Sequence, residues 1–294
     1  MNSQSLLGGV LLLGASFIWG IAYIPTRYLG EQNVSVFLEL LIRYSFPFTI
    51  FGLIYFKKII KTPFSIIKKC LLTGSILFFS IVCTIYGIRI VQYGSIGLLL
   101  VSLNIILVPL YFVFYYKQKL PGNLIVGSAL SFTGIVLLTI GTSNTPLNIG
   151  IFLCILASIG YTFYIIICSK MLTGDLEPGI LQFFQSLSFL ILCTPLILLQ
   201  KDSFSNVNWS NPTVLQACLF IGLGAGTLGY QLFFYGQKMS NPIVTTLILS
   251  SQIIFSMIAD LILFKIELSI IQIIAYICII TAVFIAPLQI KKTN

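Results

Sequence analysis

The apolar character of this chain is almost unbroken, and it comes in blocks that each have the length of a membrane span. Charged residues make up only 8% of the 294 positions and hydrophobic residues 58%. The mean hydropathy is +1.06. A soluble domain carries roughly a quarter charged residues, so this composition excludes a water-soluble fold. The sequence predicts a chain that is surrounded by lipid.

Ten blocks are long enough to cross a bilayer, whose hydrocarbon core of about 30 Å requires roughly 20 helical residues. They are residues 7–29, 34–56, 70–90, 94–116, 123–141, 149–169, 178–199, 213–237, 242–264 and 269–288. A backbone in hydrocarbon must satisfy its own N–H and C=O groups, and barrel strands are alternating segments of about ten residues, unlike these continuous runs. We therefore predict an all-α integral membrane protein with ten transmembrane helices.

The basic residues predict the orientation, because Lys and Arg near helix ends stay on the cytoplasmic side. With the N-terminus in the cytoplasm, eleven of the sixteen basic residues lie on that side: Lys57, Lys58, Lys61, Lys68, Lys69, Lys117, Lys119, Lys170, Lys238, Lys291 and Lys292. Both termini are then cytoplasmic, and the short loops favour a bacterial inner membrane. This bias and contact with anionic head groups explain the net charge of +9, so no nucleic acid partner is expected.

The chemistry that the chain lacks narrows its function. It contains no histidine, the commonest general base and metal ligand. It has no GxxxxGK[ST] loop for nucleotide phosphates. The seven cysteines form no CxxC pair and show no metal-site spacing, so we interpret them as small core side chains. We expect no catalytic residues, no metal and no cofactor, and work driven by gradients or by a separate partner.

Three short similarities relate the two halves of the chain. Residues 15–19 resemble 157–161, residues 86–87 resemble 235–236, and residues 117–121 resemble 265–269, at offsets of 142 to 149. Two sets of five helices must insert in opposite orientations, because five is odd. The sequence predicts two inverted five-helix repeats, residues 1–146 and 147–294. Transporters recurrently use such repeats, with the substrate site at their interface.

Several of these segments resemble the drug/metabolite transporter superfamily, and within it the EamA-like ten-helix transporters. FIWGIAYIPTRYL at residues 17–29 is similar to the Trp-Gly signature of the first helix, Arg43 to a frequent arginine of the second, and residues 91–138 to the core of helices three to five. Gln118 and Glu267 depart from the acidic position that closes the fourth helix, and no role is carried over to them. The resemblance implies an alternating-access carrier, often an exporter of amino acids or related metabolites; members also move nucleotide sugars and nucleosides.

Three charged residues lie inside the predicted spans and away from their ends, where an unpaired charge costs several kcal/mol; Arg27 and Arg89 lie at or near outer ends. Glu39 and Arg43 are four residues apart on one helical face and can neutralise each other. They either face the cavity and bind a zwitterion or form a fixed bridge between helices. Asp260 either carries a proton as a buried carboxylate or lies near the outer interface in contact with water. Glu39 and Asp260 are thus the candidates for proton coupling.

Uncharged residues complete the candidate binding site. Asn104, Gln231 and Gln252 offer amide donors and acceptors that suit a carboxylate or an amine, although amides also hold helices together. Trp19, Tyr23, Tyr161 and Tyr230 can form an aromatic lining or serve only helix packing. Tyr164 joins this aromatic set, and Gln182 and Gln185 join the amides.

The predicted function is a membrane transporter of small organic metabolites, with the substrate between helices 1, 2, 4, 6, 8 and 9. Two alternatives remain at the level of the sequence. A structural or channel subunit would not require the repeat. A membrane-embedded enzyme would need a cluster of acid, base or metal ligands, and without histidine only Glu39, Asp260 and the tyrosines are available.

Overall fold

The structure is a computed structural model that describes residues 3–90, 103–117, 119–141, 149–174, 176–200, 204–265 and 268–285. The predicted repeat boundary between residues 146 and 147, the start of the fourth block at 94–102, and both Gln118 and Glu267 lie outside these ranges. The described elements are helices: α1 (Ser3–Glu31), α2 (Val36–Ile54), α3 (Phe56–Ile60), α4 (Phe64–Ile90), α5 (Asn104–Tyr116), α6 (Gly122–Gly141), α7 (Ile149–Leu172), α8 (Pro178–Leu199), α9 (Pro212–Leu219), a π-helix (Phe220–Leu228), α10 (Gly229–Lys238), α11 (Pro242–Leu249), α12 (Gln252–Phe264) and α13 (Ile270–Ile285).

The helices agree with the predicted all-α membrane class. Within the described residues, seven helical segments are long and apolar enough to cross a bilayer, and shorter apolar stretches lie in α5, α6 and α13. Each of the ten sequence blocks therefore contains a helix. Ten complete membrane crossings stay a prediction, because the apolar stretches of α5, α6 and α13 are shorter than those of the other seven segments.

The eighth block differs from the single regular helix that the sequence predicted. Its centre is the π-helix, between α9 and α10. Gly222, Gly224 and Gly226 make this segment poor in side chains, and the Thr227 hydroxyl donates to the Gly222 carbonyl at 2.8 Å. A Cβ on Gly226 would lie 2.9 Å from Cγ of Arg43, so this glycine allows α2 to approach closely. π-Helical turns are rare in proteins overall, and those that occur are often found at functional sites.

The ninth block is interrupted at Ser250 and Ser251, between α11 and α12. The two serine hydroxyls donate to the carbonyls of Leu247 and Ile248, each at 2.7 Å. Such bonds to preceding carbonyls compete with the regular helical pattern and often bend helices. The interruption coincides with this Ser-Ser pair.

Helices α5 and α12 match each other in length and in both ends. Each has 13 residues; α5 begins at Asn104 and α12 at Gln252. Each is followed directly by a lysine with left-handed backbone conformation, Lys117 with φ 51° and Lys265 with φ 49°. This conformation is uncommon for a side-chain-bearing residue. The fourth and ninth blocks therefore share an unusual helix end as well as a length.

The two halves of the described chain are interleaved rather than separate. The most extensive contacts join one helix from each half: α4 with α7, α6 with α13, α2 with α8, and α1 with α10. The main buried cluster contains residues from both halves, such as Leu12, Leu77, Phe189 and Phe234. The core is therefore formed between the halves.

Gly20 lies where α1 crosses the ninth block, and we expect Gly20→Ala to lower the free energy of unfolding by about 1–3 kcal/mol, the usual cost of overpacking. A Cβ on Gly20 would lie 2.7 Å from the carbonyl oxygen of Gln252 and 2.7 Å from Cβ of Phe255. Gly9 on the same helix is the matched control, because the nearest atom to its added Cβ is Cδ1 of Ile248 at 3.8 Å. There alanine should be neutral or stabilising by up to about 1 kcal/mol. Unfolding of both variants in detergent checks this, and equal destabilisation would contradict it.

Candidate functional site

A cavity lies between helices from both halves of the chain. About 90 Å³ of it is open to the centres of water-sized molecules, whereas a single water needs roughly 10–15 Å³ on this measure. The cavity can therefore hold a small solute. Its wall is formed by α1, α2, α4, α5, α7, α10, α11 and α12. These helices include all six blocks that the sequence prediction named, together with the third block, which it omitted.

The predicted aromatic residues come together at this cavity. Trp19, Tyr23, Tyr161 and Tyr230 all line it, and so does Tyr164. Trp19 of α1 and Tyr161 of α7, which occupy matching places in the two sequence halves, line the same cavity. The structure thus brings these rings together around one cavity.

The indole of Trp19 is held in place by α10 and the π-helix. Its ring centroid lies 4.9 Å from that of Tyr230 and 5.6 Å from that of Phe233. The indole N–H donates to the carbonyl of Ala225 at 3.1 Å. Edge contacts between rings and a satisfied N–H are how buried tryptophan is normally stabilised. Trp19 therefore offers a rigid apolar face to the cavity.

Arg43 lines the cavity from α2, and its side chain is only 8% exposed. The stem lies beneath Gly226 of the π-helix. The side chains of Tyr44, Tyr161 and Tyr230 lie near the guanidinium. Its Nε has no hydrogen-bond partner. A buried, incompletely bonded guanidinium thus borders an open volume.

Glu39 and Arg43 attract each other electrostatically, but the ion pair of Glu39 is with Arg89 rather than with Arg43. Glu39 is fully buried and does not line the cavity. Its Oε2 accepts from Nη2 of Arg89 at 2.6 Å, and its Oε1 accepts from the hydroxyl of Thr26 at 2.9 Å. Arg89 also donates to the carbonyl of Val34 at 2.8 Å. The four-residue spacing puts Glu39 and Arg43 on one face, but α1 and α4 supply partners for the carboxylate that spacing within one helix does not reveal.

Asp260 is buried rather than in contact with water at the outer interface. Its side chain is 4% exposed, and its Oδ1 accepts a hydrogen bond from the hydroxyl of Tyr23. Its Oδ2 has no hydrogen-bond partner. Tyr23 also lines the cavity. The hydrogen bond between Tyr23 of α1 and Asp260 of α12 therefore lies next to the cavity wall.

The predicted amides divide into two groups. Asn104 and Gln252, the first residues of the matched helices α5 and α12, line the cavity. Gln231 does not line it; its amide donates to Gln182, whose own amide donates to the carbonyl of Gly226 at 2.7 Å. Gln231 therefore belongs to a polar network that supports the π-helix.

Sequence reasoning missed the face of α4 that borders the cavity. Ile81, Thr84, Ile85 and Ile88 line it, together with Thr26 of α1. The spacing of three and four residues marks one helical face. However, every face of an apolar membrane helix carries similar residues, so this face has no distinguishing signal. Among the described residues, no group of three or more His, Cys, Asp or Glu side chains could hold a metal ion.

A comparison with known families identifies the chain. The sequence profile of the EamA-like transporter family matches residues 6–140 and residues 148–287. The chain belongs to the EamA-like transporter family. It is therefore an integral, multi-pass membrane protein of a transporter family, in keeping with the drug/metabolite transporter superfamily that the sequence resembled. No curated protein shows significant sequence similarity to it.

The fold of this EamA-like protein also occurs among solved structures. One crystal structure of a protein superposes with a TM-score of 0.74 and covers 97% of this chain and 98% of its own length, at 14% sequence identity. Identity this low shows a common fold and nothing about substrate.

Proposed function

We propose that this EamA-like protein is an alternating-access carrier of small organic metabolites, with amino acids and related compounds as the leading class. The observation that carries the proposal is the cavity between the two halves. It combines aromatic faces, two amides and a guanidinium, the groups that recognise a small molecule with both apolar and polar parts. Trp19, Tyr23, Arg43, Asn104, Tyr161, Tyr230 and Gln252 are the proposed binding residues.

The carrier is proposed to consist of two inverted five-helix repeats, residues 1–146 and 147–294. A two-fold axis would make block one equivalent to block six and block three equivalent to block eight. The contact between blocks one and eight would then correspond to the contact between blocks six and three. Both contacts are extensive. The matched helices α5 and α12 are related by the same operation. These two features support the repeat independently of the short sequence similarities.

Transport is proposed to occur across a bacterial inner membrane, with both termini cytoplasmic and with export as the expected net direction. A gradient or exchange would drive it. Asp260 fits a proton-coupling role better than Glu39, because both oxygens of Glu39 already have partners whereas one oxygen of Asp260 has none. The interruptions of the eighth and ninth blocks adjoin the cavity, and broken helices at membrane depth are tolerated where they line one.

Counterflow in proteoliposomes tests this function. Vesicles loaded with an unlabelled amino acid mixture should accumulate a labelled amino acid transiently, because a carrier exchanges one substrate for another. The initial rate should saturate with concentration. Protein-free vesicles of the same lipid serve as the control.

A channel would give a different result in the same vesicles. Ion conductance or solute flux without saturation and without exchange would contradict a carrier and favour a channel subunit. Counterflow with nucleosides instead of amino acids would keep the carrier and change the substrate class.

A further inference from the structure

The wall of the cavity carries a positive charge. Arg43 is the charged side chain among the described residues that line it. Glu39, one helical turn away, attracts Arg43 but forms its ion pair with Arg89. Asp260 accepts a hydrogen bond from Tyr23. Within the described part of the chain, Arg43 is therefore left without an ion-pair partner, while Glu39 is paired with Arg89.

The charge of Arg43 is buried without an ion-pair partner in the described ranges. Among the described residues, no carboxylate forms an ion pair with Arg43. The tyrosine hydroxyls near the guanidinium can accept hydrogen bonds but cannot neutralise it. A buried cation that lacks a counter-charge is costly. A guanidinium presents five donors in a planar fork that matches the two oxygens of a carboxylate.

We propose that Arg43 binds a carboxylate group of the substrate, so that this protein carries small organic acids and amino acids by their carboxylate end. The inference rests on the proposed carrier function and names the chemical group that its cavity selects. The bound carboxylate would supply the counter-charge that Arg43 lacks. It would also give the Nε of Arg43, which has no partner, an acceptor.

The rest of the cavity fits the remainder of such a molecule. Ile81, Ile85 and Phe233 provide an apolar wall, and Trp19 provides an aromatic face. An ammonium group is accommodated by aromatic faces through cation–π attraction, and no carboxylate is required for it. A monoanion without an ammonium group should therefore bind at least as well as the corresponding amino acid.

Matched probes separate the carboxylate from the rest of the molecule. We would measure stabilisation of the purified protein and inhibition of counterflow with leucine, 4-methylpentanoate, leucinamide and 3-methylbutylamine, and with the corresponding phenylalanine set. The first two compounds of each set carry a carboxylate and the last two do not. The proposal expects the carboxylates to stabilise and inhibit, and the amide and amine to do neither.

Variants of Arg43 test the residue itself. Arg43→Gln should weaken the binding of the carboxylates by about 10- to 100-fold, the range for losing charged hydrogen bonds. Arg43→Lys retains the positive charge without the planar fork of donors, so its affinity for the carboxylates should lie between those of the native protein and Arg43→Gln. Lys58→Gln removes the same charge from an exposed position and should bind as the native protein does. Gel filtration and circular dichroism establish that each variant is folded; if Arg43→Gln does not fold, the probe sets and Arg43→Lys still decide.

The results distinguish a failure of the carboxylate assignment from a failure of the proposed carrier function. If amines or amides are carried as well as carboxylates, or if Arg43→Gln retains carboxylate binding, the carboxylate assignment is wrong and the carrier stands. If no compound of either set is exchanged, the failure lies with the proposed amino acid carrier, and the carboxylate assignment falls with it.

Discussion

Replacing Arg89 by Met should lower the free energy of unfolding by about 3–5 kcal/mol, the range for removing one partner of a buried ion pair. Glu39 is 0% exposed and its Oε2 lies 2.6 Å from Nη2 of Arg89. The variant would leave this carboxylate buried with Thr26 as its remaining hydrogen-bond donor. Equilibrium unfolding in detergent micelles, compared with the native protein, measures the loss.

Adding Glu39→Gln to Arg89→Met should restore most of the lost free energy of unfolding. Glu39→Gln combined with Arg89→Met removes both charges, and a buried pair replaced as a whole is often near neutral in stability. A double variant as unstable as Arg89→Met would show that the cost does not come from the unpaired carboxylate.

An exposed ion pair provides the control for this prediction. Lys58 and Glu177 join α3 to the beginning of α8, with side chains 60% and 38% exposed. The hydrogen bond from Lys58 to Glu177 raises the pKa of the ammonium above its ordinary value, so the ammonium is charged at neutral pH. Its contribution is present at lower pH and is lost as the pH rises through that raised pKa. Lys58→Met should have a far smaller effect than Arg89→Met, because exposed pairs are weak.

Replacing Tyr23 by Phe should lower the free energy of unfolding by about 1.5–3 kcal/mol, the range for a hydrogen bond to a charged group. The Tyr23 hydroxyl donates to Oδ1 of the buried Asp260, and Oδ2 has no partner. The variant would leave the carboxylate with less compensation for its burial. Unfolding in micelles measures this effect, and the same variant in counterflow reports whether the hydrogen bond between α1 and α12 matters for transport.

Two controls accompany the tyrosine variant. Tyr23→Phe combined with Asp260→Leu removes both polar groups and should be more stable than Tyr23→Phe alone. Tyr115→Phe removes a hydroxyl from a side chain that is 69% exposed and should change stability by no more than about 0.5 kcal/mol. A Tyr115 variant that loses as much as the Tyr23 variant would refute the importance of the buried carboxylate.

Arg43 and Arg89 show how the sequence and the structure divide the information. Both arginines lie near Glu39 in the folded chain. Arg43 is four positions away on the same helix, whereas Arg89 is fifty positions away along the sequence. Helical periodicity indicates the first neighbour and contains nothing about the second. The observed ion pair is the distant one, because the packing of α4 against α1 and α2 brings the end of α4 to Glu39. This change of partner is what leaves Arg43 available at the cavity.

The amides show a similar division. Asn104, Gln231 and Gln252 are equally polar within equally apolar blocks, and hydropathy alone predicts the same role for all three. Asn104 and Gln252 line the cavity, whereas Gln231 bonds to Gln182. The π-helix decides this outcome, because its irregular backbone presents carbonyl oxygens that Gln182 satisfies. No spacing rule in the sequence indicates such a segment.

The sequence by itself determined the solvent of this protein, its helical class and the blocks in which helices form, because a polar backbone buried in lipid must satisfy its own hydrogen bonds and few structures do so. It also singled out the aromatic and polar residues that break the apolar pattern. The tertiary structure decided which of them meet. Contacts between helices of opposite halves depend on side-chain shape over distances of many tens of residues, so only the folded chain pairs Glu39 with Arg89, Tyr23 with Asp260, and Arg43 with an open cavity.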